Sequence, residues 1–257
     1  MDREAKMPND NNKVRLAKFM ASAGVGSRRR CEEFITEGRV TVNGEPVMTP
    51  AVNVDPRRDI VKFEGRELKA PEENVYIMLN KPAGYTCSAK DEHARQLVYE
   101  LLPEEFGRLF TIGRLDRETE GLLLLTNDGE LAQRLTHPSF QVEKKYIAEC
   151  EGIFTERAWR AMLDGVEDDG EFLRAKRVTQ ISDRGETFLL EIILTEGKKR
   201  EIRRLCESIG IPVLRLARIE FAGLQLGTLA TGKWRELDAD EVRWLRKKEI
   251  CKFRKRG

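Results

Sequence analysis

The sequence predicts an α+β protein, in which a small N-terminal module precedes a larger domain with a mixed, mainly antiparallel β-sheet and flanking helices. After residue 75, short strand-like runs joined by tight turns outnumber the helical segments. The first 65 residues instead contain two helical stretches separated by glycines, then an Asn-Gly hairpin turn. With 257 residues, 40% of them hydrophobic, the chain is long enough to bury a core in each part.

The N-terminal module is expected to cover residues 13–65, after a polar tail of residues 1–12 that is predicted to be disordered. A helical pattern begins at Val14 and ends at a Gly-Val-Gly sequence. Ser27 is then a suitable N-cap for a second helix over residues 28–37. Two helices followed by a short hairpin predict a compact module close to the lower size limit for independent folding.

The second helix begins with three arginines, Arg28, Arg29 and Arg30. A helix N-terminus offers free backbone amides and a favourable dipole, and guanidinium groups match phosphate geometry. This combination predicts a phosphate-binding site. The alternative is an ordinary capped helix with a solvated first turn.

Residues 66–74 are polar, contain Pro71 and are interpreted as a linker to a domain covering residues 75–245. Residues 246–257 are predicted to form a basic tail, since residues 243–257 carry eight Lys or Arg against one acidic residue. The larger domain has predicted strands at residues 75–80, 109–112, 121–126, 144–151, 187–194 and 213–221. Its predicted helices cover residues 130–135 and 199–209, with another that Thr155 caps, Gly165 ends and Ala158, Trp159 and Met162 anchor to the core.

The composition argues against several classes of function. Five scattered cysteines and two histidines predict neither a disulfide framework nor a metal site. The chain has no phosphate-binding loop or dinucleotide fingerprint, so its chemistry is expected to need no cofactor. No apolar run reaches the length of a membrane span, and the polar N-terminus has no signal-peptide core. We therefore expect a cytoplasmic protein that acts as a monomer.

The most informative segment is Gly113-Arg114-Leu115-Asp116, which is followed within ten residues by four consecutive leucines. The leucines predict a buried strand, so the turn before them is held at the edge of a core. A carboxylate fixed there between arginines can act as a nucleophile or a base. The alternative is an aspartate that caps a turn or helix.

Residues 113–138 resemble the catalytic motif of the pseudouridine synthases of the small-subunit and large-subunit ribosomal RNA type. Three further stretches resemble motifs of the same family in the same order: Tyr76–Tyr85, Glu143–Tyr146 and Glu196–Leu205. Residues 14–44 resemble an S4-type RNA-binding module. The resemblance spans roughly residues 14–240, which is nearly the whole chain. One such motif would be weak evidence for the family, but five in the same order are strong evidence.

The resemblance implies that Asp116, Tyr146 and Arg203 are catalytic, with Arg203 as the basic partner of Asp116. The implied reaction flips a uridine out of its helix, breaks the bond from uracil to ribose and rejoins the base through carbon. Asp116 could attack the anomeric carbon, stabilise its positive charge or remove a neighbouring ribose proton. Tyr146 would stack on the uracil, and Arg114 would fill the space that the flipped base leaves. Without the resemblance, a buried strand tyrosine is an equal reading of Tyr146.

The third motif adds predicted RNA contacts around the start of its helix: Lys198, Lys199, Arg200 and Arg204. Lys199 and Glu201 stand where the resembled family usually has Asn and Gln. The motif wording resembles the large-subunit members more, which implies a uridine of 23S rRNA, in free RNA or a pre-ribosomal particle. The alternatives are a synthase for 16S rRNA and a non-catalytic RNA-binding or ribosome-assembly factor. An unrelated glycosidase would need a second carboxylate beside Asp116.

Overall fold

The computed structural model describes residues 13–69, 73–88 and 96–253, with side chains described as far as residue 247. The predicted disordered tail of residues 1–12 and part of the predicted linker lie outside the described residues. The chain divides into two compact units, residues 1–74 and 75–257, which are called the N-terminal and C-terminal units. Within the described residues, the helices are too short or too polar to cross a lipid bilayer.

The N-terminal unit packs two helices against short strands. Its elements are β1 (Val14–Arg15), α1 (Leu16–Ser22), α2 (Arg28–Thr36), β2 (Val40–Val42), β3 (Glu45–Pro46), β4 (Asn53–Val54), β5 (Val61–Phe63) and β6 (Arg66–Glu67). Four strands form a sheet in the order β3-β2-β5-β6, and β1 pairs with β4. Leu16, Met20 and Ile35 are fully buried in the core of this unit, which supports the predicted apolar helix faces.

The cap of α2 agrees with the prediction, because the Ser27 side chain accepts a hydrogen bond of 3.1 Å from the backbone N–H of Arg30. Two predicted boundaries were wrong. Val14 begins a strand rather than a helix, since Val14 pairs with Val54. The predicted linker begins too early, because Arg66–Glu67 pair with β5 and extend its sheet.

The C-terminal unit is built on a large sheet. Its strands are β7 (Tyr76–Lys81), β8 (Phe110–Ile112), β9 (Thr119–Thr126), β10 (Lys144–Glu151), β11 (Val166–Asp168), β12 (Glu171–Leu173), β13 (Arg177–Asp183), β14 (Thr187–Leu194), β15 (Val213–Phe221), β16 (Leu224–Gln225) and β17 (Trp234–Glu236). Its α-helices are α3 (Gly129–Thr136), α4 (Glu156–Asp164), α5 (Glu201–Glu207) and α6 (Ala239–Phe253). Short 3-10 helices lie at Val98–Leu101, Glu104–Phe106 and Pro138–Phe140.

The central strands run in the order β13-β14-β10-β15-β9-β7-β17, with β8 paired to β9 and β16 to β15. The described strand pairs of this sheet are antiparallel except for β15 with β9, so the predicted mixed, mainly antiparallel sheet is confirmed. Strand β9 carries the four leucines, and all four are buried. Leu123 and Leu125 face one core cluster while Leu122 and Leu124 face another on the opposite side of the sheet. A strand covered on both faces explains the unbroken apolar run.

Three predictions for the helices need correction. The Trp159 ring was expected in the core, but Trp159 is 39% exposed and its indole N–H donates to the Val178 carbonyl over 3.1 Å. Helix α5 is shorter than predicted at both ends, and it starts late because Arg200 takes a left-handed conformation before it. Helix α6 continues into the predicted basic tail. The helix is anchored near the start of this tail. Leu245 is buried, and Arg246 donates to the Tyr76 hydroxyl over 2.6 Å.

Candidate active site

Asp116 lies in the loop between β8 and β9, and two cations, one of them fully buried, hold the backbone of this loop. Lys81 is fully buried, and its ammonium donates to the carbonyls of Arg117 over 3.1 Å and Thr119 over 2.8 Å. Its third hydrogen bond goes to the Pro82 carbonyl over 2.9 Å. Burial lowers the pKa of Lys81. Since all three donors of an ammonium group are used, Lys81 is a structural anchor for the loop.

Arg203 completes this anchoring from helix α5. Its guanidinium donates to the Glu118 carbonyl over 3.3 Å and to the Val213 carbonyl over 2.9 Å. Consecutive carbonyls after Asp116 are therefore held by Lys81 and Arg203. The Asp116 carbonyl also accepts a hydrogen bond of 3.0 Å from the Thr119 N–H, which closes the turn.

These contacts correct one expectation about Arg203. We expected its guanidinium to pair with the Asp116 carboxylate, but among the described residues no ion pair joins the two. The guanidinium is instead oriented by the two backbone carbonyls to which it donates. Arg203 thus acts on Asp116 through the backbone of the loop, and its catalytic role stays a prediction.

A cavity of about 500 Å³ opens beside the Asp116 loop. This volume lies in the range of about 300–1,000 Å³ that is typical of small-ligand sites. Besides Asp116, its lining includes Tyr146, Arg218, Lys144, Glu201 and Leu216. The structure therefore brings predicted Asp116 and Tyr146 to one cavity and adds cationic and acidic residues that the sequence did not single out.

Tyr146 and Arg218 form one wall of the cavity and lie directly opposite each other on β10 and β15. Tyr146 is buried, and burial raises the pKa of its hydroxyl, although the neighbouring Arg218 guanidinium opposes this shift. Arg218 is 1% exposed and donates to the Leu122 carbonyl over 2.8 Å. Its Nη2 has no hydrogen-bond partner among the described residues. A buried guanidinium with a free donor is suited to bind an anion or a carbonyl oxygen.

Gly121 makes the position of Arg218 possible. It pairs with Arg218 across the parallel strands, and its φ of +100° lies in a region that L side chains rarely adopt. A β-carbon at this position would lie 2.3 Å from the Arg218 carbonyl oxygen. The glycine after the Asp116 loop is thus required by the close approach of β15.

Lys144 and Glu201 line the cavity near Tyr146. The Lys144 ammonium donates to the carbonyls of Val142 over 3.0 Å and Glu196 over 3.3 Å. Burial and the charge of Arg218 lower the pKa of Lys144 to about 8. Burial raises the pKa of Glu201 to about 7. Near neutral pH these two groups can therefore change protonation state readily.

The predicted RNA-contacting residues fall into different settings. Arg114 is exposed and, like Lys198, Lys199 and Arg200, lines the cavity. Lys198 is partly engaged, since it forms an ion pair of 3.0 Å with Glu196. In the N-terminal unit, Arg28 and Arg29 are exposed. The guanidinium of Arg30 pairs with Glu33 over 2.5 Å and lies 4.3 Å from the centre of the Phe34 ring.

Arg204 has acidic partners in this structure, and its RNA contact stays a prediction. Its guanidinium forms ion pairs of 2.5 Å with both Asp168 and Glu171 and also donates to the Asp168 carbonyl. These acidic residues lie at the turn between β11 and β12. These contacts fasten the hairpin to α5.

Arg218, Lys144 and Glu201 were missed as site residues, although the sequence contained a signal for one of them. Alternation along β15 places position 218 on the same face as buried Leu216. An arginine at a position expected to be buried is unusual and points to function or a specific partner. The signal for Lys144 was weaker, because this residue only begins a strand.

The two units also match known families. Residues 75–208 match the profile of the RNA pseudouridylate synthase family, and residues 14–60 match the S4 domain. The chain belongs to the RNA pseudouridine synthase family, and the predicted resemblance and enzyme class are confirmed.

Individual relatives extend over nearly the whole chain. An uncharacterized RNA pseudouridine synthase of Aquifex aeolicus is 42% identical over 93% of this chain and 96% of that protein. The ribosomal large subunit pseudouridine synthase B of Bacillus subtilis is 40% identical over 90% of this chain and 95% of that protein. A crystal structure of a pseudouridylate synthase aligns with a TM-score of 0.64 and 29% identity, covering 90% of this chain and 99% of that one.

Proposed function

We propose that this enzyme converts one uridine of large-subunit 23S ribosomal RNA into pseudouridine, with Asp116 as the reacting carboxylate. The observation that carries the proposal is the setting of Asp116: its carboxylate lines the cavity without an ion pair among the described residues, while its loop is anchored from behind. The identity of about 40% to the large-subunit enzyme of Bacillus subtilis supports the choice of substrate RNA. A ribosomal RNA substrate also implies a cytoplasmic enzyme.

The reaction is an isomerisation, so its atoms balance without a second substrate. The bond between N1 of uracil and C1′ of ribose breaks, and a bond between C5 and C1′ forms. The proton on C5 is lost, and N1 gains one. Asp116 would attack C1′, stabilise its positive charge or remove the C2′ proton, and each role needs a carboxylate fixed close to the sugar.

The cavity wall would hold the uracil during its rotation. Tyr146 stays a neutral phenol because burial raises its pKa, so it can stack on the base and donate a hydrogen bond. Arg218 has a buried Nη2 without a hydrogen-bond partner among the described residues, and this nitrogen would bind a uracil carbonyl oxygen. Exposed Arg114 would occupy the space that the flipped base leaves in its helix.

The units would divide the work of RNA binding and catalysis. Residues 13–65 would bind RNA phosphates through the start of α2, where Arg28 and Arg29 are exposed. Residues 75–245 would hold the reacting uridine, and the basic segment of residues 246–257 would add electrostatic attraction.

Loss of the Asp116 carboxylate tests the catalytic assignment. We expect Asp116→Asn to reduce tritium release from 23S rRNA labelled at C5 of uridine below detection, because an amide can neither attack C1′ nor stabilise its charge. RNA affinity should stay within a factor of about two, since phosphate contacts supply most of it. Glu118→Gln is the matched control, because that exposed carboxylate lies two residues away and should be dispensable. Turnover by Asp116→Asn at the rate of the control would remove Asp116 from the mechanism.

The substrate is tested separately by mapping pseudouridines in ribosomal RNA from cells that lack the gene. We expect one pseudouridine to disappear from 23S rRNA and to return with the wild-type gene but not with Asp116→Asn. Loss of a pseudouridine from 16S rRNA instead would favour the small-subunit alternative. An unchanged map would favour a non-catalytic role.

A further inference from the structure

Trp244 is a half-exposed tryptophan on α6 that the mechanism above does not use. It is 48% exposed, and its indole N–H donates to the Ala222 carbonyl over 2.8 Å. The ring also packs closely on Gly223, because a β-carbon there would lie 3.0 Å from the indole nitrogen and 3.3 Å from Cζ2. One side of the ring is therefore fixed to the turn between β15 and β16, while about half of the residue stays accessible to solvent.

The helix that carries this tryptophan is itself held firmly. Leu245 is fully buried, and Arg246 donates to the Tyr76 hydroxyl over 2.6 Å. Near the start of the helix, Arg235 donates two hydrogen bonds of 2.7 Å to the Glu241 carboxylate. A ring that the protein already holds in place loses little conformational freedom when a ligand binds to it. The exposed part of the indole is thus a preorganised surface.

The charge around this ring is strongly positive. Arg243, Arg246 and Lys247 are exposed, and residues 243–257 carry eight Lys or Arg against one acidic residue. Arg243 forms an ion pair with Asp240, which offsets only part of this excess. An aromatic ring in a basic segment combines the two features that bind single-stranded nucleic acid, which are attraction for phosphates and a surface on which a base can stack.

Trp159 provides a comparison within the same chain. It is 39% exposed, and its indole N–H also donates to a backbone carbonyl, that of Val178, over 3.1 Å. The two tryptophans are therefore exposed and anchored in similar ways. Their electrostatic settings differ, since residues 149–171 carry two Lys or Arg against eight acidic residues. An acidic setting repels phosphates, so Trp244 is the better placed of the two to meet RNA.

We propose that the Trp244 indole is a stacking platform for an unpaired nucleobase of the substrate RNA, with exposed cations of α6 binding the adjacent phosphates. Trp244 does not line the cavity, so this base is a different one from the target uridine. The base is unpaired because a paired base inside a helix is already stacked on its neighbours. The inference rests on the proposed function for the identity of the RNA, and it makes α6 a second RNA contact of the C-terminal unit.

Two substitutions in the full-length protein separate stacking from packing. Trp244→Phe and Trp244→Leu both remove the hydrogen bond to Ala222, but only phenylalanine keeps an aromatic face. On a 23S rRNA fragment that carries the mapped uridine, we expect Trp244→Leu to weaken binding about tenfold and Trp244→Phe less than about threefold. The slope of log affinity against log salt should not change, since stacking releases no counterions. Trp159→Leu is the matched control and should bind as the wild type does.

Tryptophan fluorescence tests the same contact without the leucine variant. Trp159→Phe keeps Trp244, Trp244→Phe keeps Trp159, and both proteins keep Trp234. A base that stacks on an indole quenches its emission. We therefore expect the 23S rRNA fragment to quench the emission of Trp159→Phe clearly and that of Trp244→Phe much less. This measurement decides the question if the far-ultraviolet circular dichroism of Trp244→Leu shows that this variant does not fold.

The outcomes keep the two proposals apart. Wild-type affinity in Trp244→Leu, equal losses in Trp244→Leu and Trp244→Phe, or equal quenching in the two phenylalanine variants overturns the stacking role. Each of these results leaves the proposed function intact as long as the wild type still modifies 23S rRNA. Quenching at Trp244 without turnover of 23S rRNA by the wild type supports the stacking role and contradicts the proposed function.

Discussion

The two sides of the cavity differ in what their polar groups do. On the Asp116 side, Lys81 and Arg203 hold the backbone carbonyls of residues 117–119. On the Glu201 side, burial moves the pKa values of Glu201 and Lys144 toward neutrality. The first side fixes the backbone beside Asp116, and the second side carries groups whose charge depends on pH.

The largest effect is expected at Gly121, which joins the two sides. Gly121→Ala would force a β-carbon to within 2.3 Å of the Arg218 carbonyl and would strain a φ of +100°. We expect a loss of about 4 kcal/mol in the free energy of unfolding, measured by urea denaturation. Gly107→Ala is the control, because its φ is also positive but no atom lies within 4 Å of the added carbon. Equal losses in both variants would show that backbone conformation alone matters and that the approach of β15 does not.

A smaller loss is expected when the anchoring of the Asp116 side is broken at Lys81. Lys81→Met keeps the length of the side chain but leaves three backbone carbonyls without their donor. We expect the free energy of unfolding to fall by about 3 kcal/mol and kcat to fall more than KM changes, because the loop no longer fixes Asp116. Lys145→Met removes only partly exposed ion pairs and should lose less than about 1 kcal/mol. If kcat is unchanged in Lys81→Met, the anchoring of the loop has no catalytic value.

The Glu201 side is probed by the pH dependence of stability. Burial raises the pKa of Glu201 from 4.5 to about 7, so between these values the folded protein holds a proton that the unfolded chain has lost. This group therefore makes the free energy of unfolding fall as pH rises through that window. We expect Glu201→Gln to gain about 2 kcal/mol relative to the wild type between pH 4.5 and pH 7, measured by urea denaturation across pH. A constant difference between the two proteins would mean that Glu201 ionises as it does in water.

The smallest effect is expected for the arginines at the start of α2, because they differ in whether the side chain already has a partner in the protein. Arg28 and Arg29 are exposed, whereas Arg30 is paired with Glu33 and stacked on Phe34. Replacing Arg28 and Arg29 by alanine should weaken binding of 23S rRNA uniformly and reduce the slope of log affinity against log salt by about one to two. Arg30→Ala should change the slope by less than half as much. Fluorescence titration at several salt concentrations measures both, and equal effects per arginine would remove the distinction.

Much of the fold could be predicted because its signals are local. Strands β10, β14 and β15 begin and end at the predicted residues, since alternation and turn residues mark them. The N-cap at Ser27 and the buried leucine run were also readable from neighbouring residues. Helix α6 was not predicted, because Leu245 and Arg246 hold it through contacts with distant parts of the chain.

The candidate site divides in the same way. Local sequence determined the Asp116 turn, Tyr146 on its strand and the family to which the chain belongs. Tertiary structure decided which cation does what: Arg203 binds loop carbonyls, Arg204 binds the β11–β12 hairpin, and Arg218 reaches the cavity. The physical reason is that an arginine has the same sequence signature in every role. Its partners come from strands and loops up to about a hundred residues away, and only the folded chain brings those partners together.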